Sequence, residues 1–224
     1  MDLQKSLEFF NPSEMVKAPI SIIGVGAVGS YIATGLARLG CSNIHLYDFD
    51  IVEPKNIVNQ MFTEEDVEMP KVEAVERMLR RINSHIEVKT HPEGLKAPYR
   101  VEGYVFLCVD NIDVRREIVK ANQYNMECKC FFDCRMALTS GQHYFCDARI
   151  HEQVKELLET MNFSHEEAKA AMPTTACGTE LGVGYVVQGL TSLAIMNFVK
   201  YCLNDKPFRT VFADFSTGAF DCFN

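Results

Sequence analysis

Ile20-Ser21-Ile22-Ile23-Gly24-Val25-Gly26-Ala27-Val28-Gly29 is the stretch that decides the fold. The apolar run to Ile23 reads as a buried strand, and Gly24, Gly26 and Gly29 make a G-x-G-x-x-G where strand gives way to helix. From Val28 the apolar residues recur at Ile32, Leu36 and Leu39, which is helical spacing, and Gly40 stands where a C-terminal cap belongs. A second strand, Asn43-Ile44-His45-Leu46-Tyr47, ends on Asp48-Phe49-Asp50, with Asp48 lying 19 residues beyond Gly29. Glycines let the backbone approach a phosphate, a helix N-terminus offers unpaired N–H groups to an anion, and an acid ending the second strand can hold the ribose hydroxyls. This order predicts an α/β domain with a Rossmann-like sheet and helices on both faces. It also predicts a nucleotide at Gly24, Gly26, Ala27, Val28, Gly29 and Asp48. NAD and ATP satisfy these features equally.

The residues that follow separate the two. Asp48-Phe49-Asp50-Ile51-Val52-Glu53-Pro54-Lys55-Asn56-Ile57-Val58-Asn59-Gln60 resembles the signature after the second strand of ThiF/MoeB/HesA-type adenylyltransferases, in the superfamily of ubiquitin-activating enzymes. The resemblance continues through Val67-Glu68-Met69-Pro70-Lys71-Val72-Glu73-Ala74 and Arg81-Ile82-Asn83-Ser84-His85-Ile86, and spans about Ile20 to Tyr201. It implies ATP with Mg²⁺ rather than NAD, and it adds Asp50, Asn56, Gln60 and Lys71 to the nucleotide site, Lys71 as the contact to the phosphates. From its position alone, Lys71 in a first helical turn opposes the helix dipole and needs an anionic partner, for which Glu68 or Glu73 serve as readily.

Tyr104-Val105-Phe106-Leu107-Cys108-Val109 reads as a further strand ending on Asp110-Asn111. Ligands in open α/β sheets bind outside the carboxyl ends of strands, so Asp110 is placed for a site, although a helix N-cap accounts for it as well. Asp110-Asn111-Ile112-Asp113-Val114-Arg115 resembles the family's D-N-x-x-x-R, whose aspartate orients Mg²⁺ and nucleotide. Arg115 can pair with Asp110 or reach a phosphate.

The cysteines divide into two groups. Cys128, Cys130 and Cys134 fall in one strand, where alternate residues are about 6.6 Å apart, whereas thiolates sharing one zinc sit roughly 3.8 Å apart. No C-x-x-C occurs, unlike the two pairs that hold structural zinc in many relatives, so these thiols read as core and no zinc is expected. Cys177, in Pro173-Thr174-Thr175-Ala176-Cys177-Gly178-Thr179-Glu180, stands in the loop where sulfur-transferring and ubiquitin-activating relatives carry the cysteine that accepts the activated acyl group. Relatives that only adenylate keep a cysteine there too, so a covalent role and an unreactive thiol both remain open.

The chain of 224 residues fits one domain, with 47% hydrophobic and 23% charged residues. A net charge of −8 argues against a nucleic-acid partner held through its phosphates. Nine cysteines, an odd number, together with a start that is no signal peptide, point to free thiols in a reducing cytoplasm. Leu181–Val199 carries no charge over 19 residues but includes Gln188, Thr191, Ser192 and Asn197, so it reads as a helix buried against the sheet and not as a membrane span. Thr210–Phe215 and Ala219–Phe223 read as a hairpin over Ser216-Thr217-Gly218 that buries Val211, Ala213 and Phe215. Leu7–Ser13 suggests a short helix ending near Asn11, with Phe9 and Phe10 packed on the domain or on a second subunit.

The expected activity is ATP-dependent adenylation of the C-terminal carboxylate of a small ubiquitin-like or sulfur-carrier protein by a homodimer, with Lys71, Asp110, Arg115 and Cys177 as the catalytic set. Three other readings are a non-catalytic partner subunit of an activating enzyme, an NAD-dependent oxidoreductase, and an enzyme that adenylates a peptide or small carboxylate. Two departures from the family stand out: Asn59 occupies the position of its usual arginine before the glutamine, and no counterpart of its N-terminal arginine precedes Ile20. Arg115, Lys55 and Lys17 are the candidate replacements.

Overall fold

The structure, a computed structural model, describes residues 1–171 and 182–224. In chain order the elements are α1 (Pro12–Met15), β1 (Ile20–Ile23), α2 (Ala27–Arg38), β2 (Asn43–Tyr47), α3 (Lys71–Ile82), β3 (Glu87–His91), β4 (Gly103–Leu107), α4 (Ile112–Asn122), β5 (Cys128–Met136), β6 (Ser140–Asp147), α5 (His151–Glu159), α6 (His165–Ala171), α7 (Gly184–Cys202), β7 (Thr210–Asp214) and β8 (Ala219–Phe223). Two short 3-10 turns, Pro54–Val58 and Glu64–Asp66, lie between β2 and α3.

All eight strands form one sheet in the order β3-β2-β1-β4-β5-β6-β7-β8. The first five run parallel, and β6, β7 and β8 continue antiparallel. β1 and β4 are neighbours although two strands intervene in sequence, so the chain reverses its direction of winding between them. That is the switch point where α/β sheets open a crevice at their carboxyl ends.

Strand alternation sorts the apolar residues into two layers. Ile20, Ile22, Ile44, Leu46, Phe106 and Phe132 pack with α2, α3 and α7, while Ile23, Val105, Leu107 and Phe131 pack with α4 and α5. α7 covers most of the uncharged segment and runs on through Lys200, and its Leu190, Ala194 and Phe198 are buried against the sheet. No helix among the described residues is long and apolar enough to cross a membrane. Cys128, Cys130 and Cys134 are buried, as expected of core thiols. No group of three metal-ligating side chains is gathered among the described residues.

Several local expectations shift. The N-terminal segment forms turns up to Phe9, and its helix is α1, which begins at Pro12 where the sequence reading ended it. Proline lacks the N–H that a first helical position does not need, which favours this start. Phe10 is fully buried edge-on to Phe198, whereas Phe9 is 69% exposed. Val211 and Ala213 are buried as the hairpin alternation requires, and β8 is exposed along its whole length.

Candidate active site

The glycine loop joins β1 to α2 and is locked from both sides. Gly24 takes a φ of +88°, and a Cβ there would lie 2.8 Å from the Val109 amide nitrogen, so the loop touches the chain leaving β4. At Gly29 a Cβ would meet the Gly24 carbonyl oxygen at 1.9 Å; only glycine lets α2 start so close to the loop. No side chain caps the N-terminus of α2 among the described residues. Its first amides, including those of Ala27 and Val28, therefore have no intrahelical acceptor and suit an anion. The Val28 side chain itself is buried in the core, so only its backbone can serve a ligand.

Asp48 closes the loop from the end of β2. Its carboxylate accepts from the amides of Val25 at 2.8 Å and Asp50 at 2.9 Å. Burial raises its pKa from the ordinary carboxylate value, and the two amide bonds and the nearby Lys71 oppose that rise. Asp48 thus stands at the carboxyl end of β2 beside the glycine loop, where a ribose acceptor belongs.

Lys71 is 7% exposed at the start of α3. Its ammonium is paired with Asp50 at 2.7 Å, and its amide donates to the Asp50 carbonyl. Neither Glu68 nor Glu73 is the partner; the chain from Asp50 to Val52 runs alongside Met69 to Lys71 and brings Asp50 closer. Pro70 is the N-cap of α3 and Lys71 its first residue, one position later than a proline at the first helical position would give.

In the turn Pro54–Val58, Asn56 is 8% exposed, and its side-chain oxygen accepts from the Glu53 amide at 2.8 Å, forming a capping box with Glu53. The carbonyl end of Asn56 is therefore engaged, and its NH₂ is the end that can face a ligand. Gln60 lies over the glycine loop: a Cβ at Gly26 would sit 3.7 Å from its side-chain oxygen. That oxygen is buried without a hydrogen-bond partner among the described residues, which suits a site completed by a polar ligand. Asn59, at the family's arginine position, has its side-chain nitrogen against Gly182, where a Cβ would approach it to 2.5 Å.

Asp110 is exposed, directly before α4. The N-cap is Asn111, whose side chain accepts from the amides of Asp113 and Val114, so the capping role falls to the neighbour and Asp110 is left exposed past the carboxyl end of β4. Arg115 does not pair with Asp110. It is 5% exposed, donates to the carbonyls of Val109 at 2.7 Å and Leu107 at 2.9 Å, and forms an ion pair with Asp133. A guanidinium so enclosed is part of the scaffold beneath Asp110. Lys55 pairs with Glu53 and Lys17 bonds the Ser13 carbonyl. Cys177 lies outside the described residues.

Asp133 was not read from the sequence as part of the site. It is fully buried, held by Arg115 and by Arg135 at 2.6 Å. Burial raises its pKa, but the two arginines outweigh that and hold it below the usual carboxylate range. One signal was available: an acid directly after the apolar pair Phe131-Phe132 and before Cys134, in a strand, demands a charged partner.

These contacts tie together the glycine loop, Asp48, Asp50, Lys71, Gln60 and Asn56, while Asp110 follows Val109, which abuts Gly24, and Arg115 is turned into the core. An open groove lined by Met1, Thr34, Arg38, Met61, Met78 and Arg81 is separate and contains none of these residues.

Comparison with known proteins agrees with the fold. The chain is 28% identical over 232 residues to ubiquitin-like modifier-activating enzyme 5 of Drosophila pseudoobscura pseudoobscura, covering 91% of this chain and 55% of the relative. It is 30% identical over 120 residues to the molybdopterin-synthase adenylyltransferase of Haemophilus influenzae, covering 51% of this chain and 49% of that protein. The chain thus spans about half the length of these relatives. The crystal structure of E. coli MccB with ATP superimposes with a TM-score of 0.73 at 17% identity, over 95% of this chain and 65% of that one. The ThiF family model matches residues 11–222, nearly the whole sequence, and the chain belongs to the ThiF family.

Proposed function

We propose that this protein is an ATP-dependent adenylyltransferase that activates the C-terminal carboxylate of a small ubiquitin-like or sulfur-carrier protein. The observation that carries the reading is the chain of contacts from Lys71 through Asp50 and Asp48 to the glycine loop, with Gln60 lying over Gly26, beside the β1/β4 switch point in a member of the ThiF family. The modifier-activating and molybdopterin-synthase relatives support the substrate class.

A carboxylate oxygen of the substrate forms a bond to the α-phosphorus of ATP as the bond from that phosphorus to the bridging oxygen breaks. The products are an acyl-adenylate and pyrophosphate, and the leaving oxygen takes the bond electrons. An anion attacks a polyanion here, so positive charge and donors must face the phosphates. Asp48 accepts from the ribose hydroxyls, and the amides of Gly26, Ala27 and Val28 and the NH₂ of Asn56 donate to phosphate oxygens. Lys71, loosened from Asp50, neutralises charge as it builds on the departing pyrophosphate. Asp110 is the carboxylate set to hold Mg²⁺, which when bound supplies charge neutralisation at the phosphates. Cys177 is the nucleophile of any following thioester step, in which its thiolate bonds to the acyl carbon and AMP leaves with the electrons of the acyl–oxygen bond.

ATP–pyrophosphate exchange tests the reading: wild type exchanges in the presence of its carboxylate substrate, and Lys71→Ala and Asp110→Ala each abolish exchange. Exchange that survives both changes together overturns the site. The position of Asn59 against Gly182 and the burial of Arg115 favour a second reading, a non-catalytic partner subunit. Such a subunit binds ATP and exchanges nothing.

A further inference from the structure

We propose that Arg115 and Asp133 are positioning residues for Asp110, which rests on the reading of Asp110 as the acid facing metal-bound ATP. The chain must leave the sheet just before Asp110. β4 ends at Leu107, whose partner in β5 is Asp133, and the Cys108 amide still donates to the Ile23 carbonyl of β1. At that point the carbonyls of Leu107 and Val109 need donors from outside the sheet, because buried peptide groups are costly to leave unpaired.

Arg115 supplies them. Its Nε donates to the Val109 carbonyl at 2.7 Å and its Nη1 to the Leu107 carbonyl at 2.9 Å, so one planar guanidinium holds the Leu107–Cys108 peptide and the Val109–Asp110 peptide that runs into Asp110. On the opposite side the same backbone is pressed by Gly24, where a Cβ would be 2.9 Å from the Cys108 carbonyl carbon and 2.8 Å from the Val109 nitrogen. The segment is clamped between the nucleotide loop and the guanidinium, and Asp110 is the first residue past the clamp.

Asp133 fixes the guanidinium itself. It is fully buried and sits between two arginines that differ in what else they hold. Arg115 continues to the two carbonyls before Asp110. Arg135 instead continues to Thr160, donating to its carbonyl and its hydroxyl at 2.8 Å each. Removing either arginine leaves Asp133 with one cation and exacts a comparable cost in the core, but only Arg115 connects that core to Asp110. A purely structural network predicts equal consequences for the two.

The test compares full-length Arg115→Gln with Arg135→Gln by two measurements. The first is amide hydrogen exchange in residues 108–112, taken relative to global stability. The second is the binding of a non-hydrolysable ATP analogue with and without Mg²⁺. Arg115→Gln should speed exchange in this segment and shrink the Mg²⁺-dependent gain in affinity, each by roughly tenfold, the scale of one charge-assisted hydrogen bond. Arg135→Gln should do neither, while lowering the melting temperature. Equal effects of the two, or a segment that stays protected in Arg115→Gln, overturn the proposal. Should Arg115→Gln fail to fold, Arg115→Lys keeps a cation beside Asp133 without the fork that spans both carbonyls, and the same outcomes apply. A wild type that binds no nucleotide would sink the adenylyltransferase reading, and the hydrogen-exchange arm would still decide the positioning role.

Discussion

Asp50→Asn should make the protein less stable and its grip on ATP tighter. Lys71 is 7% exposed, and the carboxylate 2.7 Å from its ammonium belongs to Asp50, whose side chain is 51% exposed. Removing one member of a fully buried pair costs about 3–5 kcal/mol, and exposed pairs contribute about 0–1 kcal/mol. A buried cation with a half-exposed partner falls between, so Asp50→Asn should cost about 1–2 kcal/mol in the free protein. For a domain of this size that is a fall in Tm of roughly 2–8 °C.

The same charge argument sets the response to nucleotide. If Lys71 contacts the ATP phosphates, wild type must exchange Asp50 for phosphate when ATP binds, and the variant has no carboxylate to release. Mg-ATP then restores the missing counter-charge in Asp50→Asn. The affinity should rise by roughly five- to thirtyfold, the same about 1–2 kcal/mol expressed as binding. Thermal shift at saturating Mg-ATP, with calorimetric titration beside it, reads both effects. Lys71→Ala should show a smaller nucleotide-induced shift than wild type. An Asp50→Asn protein with the wild-type nucleotide shift, alongside an unchanged shift in Lys71→Ala, would refute the placement of Lys71 at the phosphates.

Other outcomes follow from the same geometry. Cys177→Ala should leave ATP–pyrophosphate exchange intact and remove any DTT-sensitive adduct with the substrate protein; an adduct that persists moves the nucleophile elsewhere. The protein should scatter light as a homodimer at micromolar concentration, with the exposed Phe9 as one apolar residue to cover, and a monomer there refutes the assembly. His143 is fully buried, and burial pushes its pKa down to about 4, so the unfolded chain binds the extra proton between about pH 6.5 and 4. Stability should therefore fall with decreasing pH across that window, by about 3 kcal/mol in all, and His143→Gln should flatten this part of a denaturation profile; an unchanged slope would show that another group titrates there.

The part of the fold that carries the nucleotide was legible because its signals are local. Gly24 to Asp48 states strand, turn, helix and strand within one continuous stretch, and the observed β1, α2 and β2 fall where the periodicity puts them. β3 and β6 had no such signal. β3 reads Glu87-Val88-Lys89-Thr90-His91 and lies at the sheet edge, with every residue partly or wholly exposed. β6 includes Ser140, Gly141, Gln142 and His143, and is recruited by pairing with β5 rather than by its own alternation. A strand stabilised by its neighbours leaves little periodicity in its own residues.

The site shows the same divide, and the charges mark where it falls. A motif specifies which residues meet a ligand but not which of them the protein also needs to hold itself together. Lys71 reads as a cation at a helix start, and its observed partner, Asp50, is 21 residues away and reaches it only because the chain doubles back along Ile51–Pro70. Arg115 reads as a cation one turn into a helix beside an acid, the pattern of a phosphate contact. Its partner Asp133 comes from the next strand, and burial of both decides the matter: a carboxylate with no access to water must keep its arginine. Arg115 is therefore engaged in the core, with Asp133 and two backbone carbonyls as its partners. In the proposed reaction the charge balance at the nucleotide rests on Lys71, on amides of the α2 N-terminus, and on cations brought with the ligand, so changes at Lys71 should cost far more than the change at any other single lysine discussed for this site.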